Sequence, residues 1–154
     1  MKWLKIGIGV ALAAIASLVA HMHVVAQTYY PTVRVQAPEG LTYVVVQDET
    51  AERRECGAAN DRFLGRIKQG CKDCKILAAR CTRTLEERLE RDVYQGAPVK
   101  YSTVVAPGMR MAIVGPQPLA DSSCLAIARE ARKQGAGRTD CVRAASAAVG
   151  GTGG

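Results

Sequence analysis

All six cysteines of this chain (Cys56, Cys71, Cys74, Cys81, Cys124 and Cys141) follow an apolar run near its start. A basic opening (Met1, Lys2, Lys5) leads into the uncharged segment Ile6 to Ala20. A basic flank, an apolar core and then an even set of cysteines is the pattern of a small domain that is exported and folds where disulfides form. Compartment, redox state and style of fold are constrained together by that order.

The N-terminal segment orients the rest. No Lys or Arg follows Lys5 until Arg34, so the charge asymmetry leaves the N-terminus in the cytoplasm and carries the remainder outward. Ile6 to Ala20 has 15 residues, the length of a signal-peptide core, and Val24-Val25-Ala26 suits cleavage after Ala26. Ile6 to Ala26 has 21 residues, with Ser17, His21 and His23 its only polar ones, which is long enough to span a bilayer. The reading taken here is a retained anchor in the inner membrane with a periplasmic C-terminal domain. Its alternative is a periplasmic or secreted domain released near Ala26.

Residues 1–26 are thus assigned to export, 27–40 to a linker and first strand, 41–148 to the disulfide-stabilised domain and 149–154 to a Gly-rich tail. About 128 residues past the leader make one domain with a modest core, the size that gains from cross-links. Seven aromatic residues (one Trp, five Tyr, one Phe) leave that core to Val, Ile, Leu and cystine.

Strands are expected at Thr32 to Gln36 and Leu41 to Gln47, separated by the turn Pro38-Glu39-Gly40. A helix follows from near Glu49 to Gly70, with Cys56, Ala59, Phe63 and Ile67 on one face. Beyond Cys71-Lys72-Asp73-Cys74 two readings compete. Leu77, Cys81, Leu85 and Leu89 repeat at four, which favours one helix from Cys71 to Tyr94. Otherwise Lys75 to Cys81 is extended and a later helix opens at the capping box Thr84-x-x-Glu87. Glu87 and Arg91 would form an i,i+4 pair in either case. Lys100 to Ala106 and Met109 to Gly115 form a second hairpin around Pro107-Gly108. A third helix, capped by Asp121 or Ser122, carries Ala120, Cys124, Ile127, Ala128 and Ala131, and a short helical piece surrounds Cys141. The fold class is α+β: a small antiparallel sheet of two hairpins, covered on one side by about three helices, disulfide-stapled.

Six cysteines allow 15 connectivities. The short loop between Cys124 and Cys141 favours that pair, and Cys56 is expected to bond to Cys71, Cys74 or Cys81. On the single-helix reading, Cys74 and Cys81 lie about 10 Å apart and cannot pair. Zinc is not expected, since the spacing C-x14-C-x2-C-x6-C has only one close pair. No cofactor is expected either.

His21 and His23 are the only histidines, so the exported part lacks a Ser-His-Asp or Cys-His set. Glu86, Glu87, Glu90 and Asp92 interleave with Arg83, Arg88 and Arg91 as a solvated helix face would. No catalytic residues are assigned. The function expected is non-enzymatic binding, as an accessory module of a bacterial envelope. Its interaction face is Arg53, Arg54, Arg62 and Arg66, and its partner another envelope protein or an acidic envelope component. Nucleic acid is not an expected partner outside the cytoplasm. The net charge of +7, or 7 − 2 = +5 without Lys2 and Lys5, agrees with an acidic partner. Two alternatives are a thiol-disulfide oxidoreductase using Cys71 and Cys74, and a polyanion or glycan binder using Arg129, Arg132, Lys133, Arg138 and Arg143.

Overall fold

β-Branched runs set the strands of the computed structural model, which describes residues 27–144. The expectations for residues 1–26 and for the tail lie outside the described residues. β1 (Tyr30–Gln36) and β2 (Thr42–Gln47) form the first hairpin, and β4 (Ser102–Ala106) and β5 (Met109–Val114) the second. β3 (Lys75–Thr82) and β6 (Asp140–Val142) complete an antiparallel sheet of six strands in the order β3-β1-β2-β5-β4-β6. The three helices are α1 (Arg53–Gly70), α2 (Arg88–Gln95) and α3 (Gln117–Lys133).

Both hairpins turn at the expected residues. Pro107-Gly108 joins β4 to β5, with Gly108 at φ 82°, a backbone region that suits glycine. Gly40, at φ 88°, closes the turn between β1 and β2.

The sheet is covered on both faces, not one. α1 packs on β1 and β3, and α3 on β4, β5 and β6. Val33, Val35, Val45, Met111, Ile113 and Val104 form the core beneath them with Phe63, Ala120 and Cys124. The opposite face buries Val44, Val46 and Ala112 under α2, through Leu85, Leu89, Val93 and Tyr94. This is why β2 carries Val44-Val45-Val46 unbroken: a strand buried on both faces has no solvent side for a polar residue.

The single helix from Cys71 to Tyr94 is not formed. Lys75–Thr82 is extended, and α2 starts only at Arg88. β-Sheet pairing with β1 over seven register positions outweighs the i,i+4 repeat of Leu77, Cys81, Leu85 and Leu89. Thr84 is not the cap, because the residue preceding the helix is Glu87. Pro116 precedes α3, with Pro118 in its first turn, so Asp121 and Ser122 lie inside the helix. The piece around Cys141 is strand β6, aligned on the β4 edge by Thr103, Val104 and Val105.

Three disulfides fasten these layers: Cys56–Cys81 joins α1 to β3, Cys71–Cys74 closes the corner between them, and Cys124–Cys141 joins α3 to β6. The expected Cys124–Cys141 pair is formed, and Cys56 takes Cys81. Cys74 and Cys81 do not pair, although the helix that excluded them is absent.

Candidate functional site

α1 presents different chemistry around its circumference. Cys56, Asn60 and Phe63 are buried toward the sheet. Successive residues turn by about 100°, which carries Arg54 and Arg62 to the outward side and Arg53 and Arg66 to its flanks. All four arginines are exposed. None makes a hydrogen bond or ion pair among the described residues. Within α1, five cations (these four and Lys68) meet two acids (Glu55 and Asp61), leaving 5 − 2 = +3. Arg54 and Arg62 border a shallow depression with Thr50, Glu55 and Ala58.

Most other arginines of the domain are engaged. Arg88 pairs with Asp92 and Arg138 with Asp140. Arg91 donates to the Leu85 and Glu86 carbonyls, Arg110 to the Tyr94 carbonyl, and Arg132 to that of Ala128. Lys133 lies 4.0 Å from Glu130. The basic C-terminal set is therefore partly neutralised by its own neighbours, which weighs against it as a polyanion site. The α1 arginines are not neutralised in this way.

Between α1 and α3 runs an apolar groove of about 420 Å³, walled by Phe63, Ile67, Met109 and Ile127. Tyr43 stands in it, its hydroxyl 3.0 Å from the Ser123 hydroxyl. Cys71 and Cys74 close one end as a disulfide. A reactive thiolate is favoured at the positive, N-terminal end of a helix. Cys71 instead caps the C-terminus of α1, its N–H donating to the Ile67 carbonyl at 2.7 Å. The negative end of the helix dipole faces this pair, and Asp73 sits between the two cysteines. Their placement weighs against an oxidoreductase.

The sequence reading missed one cluster. Glu90, expected on a solvated face, is 2% exposed and lies 2.7 Å from Arg80 and 3.3 Å from Arg34. Glu87 completes the set, 2.9 Å from Arg80 and hydrogen-bonded to Arg34. The pair expected between Glu87 and Arg91 is not formed. The Arg34 guanidinium, aided by that of Arg80, holds the Glu87 carboxyl below its ordinary value against the opposing effect of burial. Two cations and two anions balance here, so the cluster ties α2 to β1 and β3 and leaves no surplus charge for a ligand. Among the described residues, no group of His, Cys, Asp and Glu is arranged to hold a metal ion.

No family model matches the chain, and comparison with curated proteins and with solved structures finds no match.

Proposed function

We propose that this protein is a non-enzymatic accessory module of a bacterial envelope, exported or anchored by its N-terminal segment. On this reading it binds an acidic envelope component or an acidic face of another envelope protein. The observation that carries the reading is the set Arg53, Arg54, Arg62 and Arg66: exposed, free of internal partners, and held on a helix fixed to the sheet by Cys56–Cys81. A partner carboxylate or phosphate gains bidentate contacts from such guanidinium groups without breaking an existing pair. Export supplies the oxidising compartment that three disulfides require.

The test has two arms. Protease added to spheroplasts should digest the domain while the cytoplasm stays sealed, and protection of the domain would contradict export. In the second arm, cross-linking in intact cells is compared between the parent and Arg54→Glu/Arg62→Glu/Arg66→Glu. The expected result is loss of the parent's cross-linked partner in the variant, with thermal stability unchanged. A partner retained at parental yield would remove α1 from the contact.

A further inference from the structure

The two edges of the sheet differ. β6 offers three residues, whereas β3 offers eight, and among the described residues β3 pairs with β1 alone. An unpaired edge carries a row of backbone N–H and C=O groups whose natural complement is another extended strand. Natural edges are usually blunted by shortness, charge, a helix cover or a bulge that twists the edge away. β3 is long, and it exposes two adjacent large apolar side chains, Ile76 at 39% and Leu77 at 53%. Its register with β1 shifts between Arg34 and Val35, so Leu77 faces no residue of β1. A bulge of this kind re-aims a side chain. Here the side chain left over is the more exposed apolar residue of the strand.

We infer that β3 is the pairing edge for a second copy of this chain, joined antiparallel across a two-fold axis through Ala79. Two observations favour a copy over an unrelated strand. Edge length matches edge length only when β3 meets β3, because β6 is too short to cover it. The sequence Lys75–Thr82 is self-complementary in this register: Ala79 faces Ala79, Ala78 faces Arg80 and, with Leu77 the extra residue of the bulge, Ile76 faces Cys81. No like charges stand directly opposite, and the small residues at the axis let the backbones approach. Arg80 is already neutralised by Glu87 and Glu90, so it brings no free charge to the seam. The strand is also preorganised, since Cys56–Cys81 fixes one end and Asn60 donates to the Arg80 carbonyl at 2.9 Å.

Such pairing makes an isologous interface, which closes at two subunits. α1 overlies β1 and β3, so joining two edges sets the α1 helices about two strand spacings apart, roughly 10 Å, a distance at which helices pack. Their flanks carrying Gly57 and Leu64 would meet there. The outward Arg54 and Arg62 would stay open on both copies.

The test is sedimentation equilibrium of the full chain in a mild non-ionic detergent, for the parent and for Leu77→Lys. The parent should give twice the chain mass, and the variant should dissociate at least about tenfold more readily, because lysine cannot be buried at the seam without cost. A photo-reactive residue at Leu77 should cross-link to residues 75–82 of the other copy. A monomeric parent overturns the inference. So does a dimer that survives Leu77→Lys, a cross-link outside β3, or an open series of higher oligomers, which marks head-to-tail contact. Arg53 shares the flank of Gly57 and Leu64, so the dimer would place it beside the seam; none of these outcomes bears on the binding role of Arg54, Arg62 and Arg66.

Discussion

At the scale of single residues, Glu90 is the most consequential side chain that carries charge. It is buried, yet two guanidinium groups reach it from neighbouring strands. Glu90→Ala leaves Arg34 and Arg80 with one acceptor residue between them and should cost about 3 kcal/mol, read by chemical denaturation. A loss under about 0.5 kcal/mol would place the cluster among ordinary surface pairs. Glu87 adds a pH dependence. Its carboxyl is held below the ordinary value in the folded domain. The stability it contributes is therefore present above the unfolded-state value of about 4.3 and is lost as pH falls through the folded-state value. Thermal unfolding in a series from neutral to strongly acidic pH should show this loss, and Glu87→Gln should flatten part of it. An identical acid profile in parent and variant would contradict the role given to Glu87.

At the scale of elements, the three disulfides are not equal. Cys56–Cys81 spans 25 residues, Cys124–Cys141 spans 17 and Cys71–Cys74 only three. Loop-closure entropy assigns about 3–4 kcal/mol to the first two and about 2 kcal/mol to the last. The double variant Cys56→Ser/Cys81→Ser should thus lose clearly more stability than Cys71→Ser/Cys74→Ser in urea titrations; the reverse order would show that the corner, not the α1–β3 link, holds the fold. The hairpins, α1 and the Cys124–Cys141 link were legible in the sequence because turn residues, helical spacing and a short loop are local signals. β3 was not, because its four-residue repeat of leucine and cysteine imitates a helix and its partner residues in β1 lie 39 to 52 positions earlier. The second helix layer was legible in retrospect: Val44-Val45-Val46 and Met111-Ala112-Ile113 are runs with no polar face, which only a sheet covered on both sides requires. The Arg34, Arg80, Glu87 and Glu90 cluster followed from the same hidden layer. Once α2 crosses the sheet, an acid placed to reach solvent on a lone helix points instead at the arginines of β1 and β3. The α1 arginines were found by spacing alone, since the residues opposite the Cys56, Phe63 and Ile67 stripe must face outward.

At the scale of the whole molecule, a three-layer domain of modest size is fastened at both ends of its sheet by cystine, with β3 tied to α1 and β6 to α3. The described residues include no helix long and apolar enough to cross a membrane. The central claim is that this domain matures in an oxidising compartment with all its cysteines paired. The most direct measurement is alkylation without reduction on chain taken from its native cells, followed by intact mass and peptide mapping. The expected result is no alkylated thiol and the pairs Cys56–Cys81, Cys71–Cys74 and Cys124–Cys141. The same spectrum reports whether residues 1–26 are retained. Four or more free thiols, or a different pairing such as Cys71 with Cys81, would contradict the stapled, exported domain on which the proposed function stands.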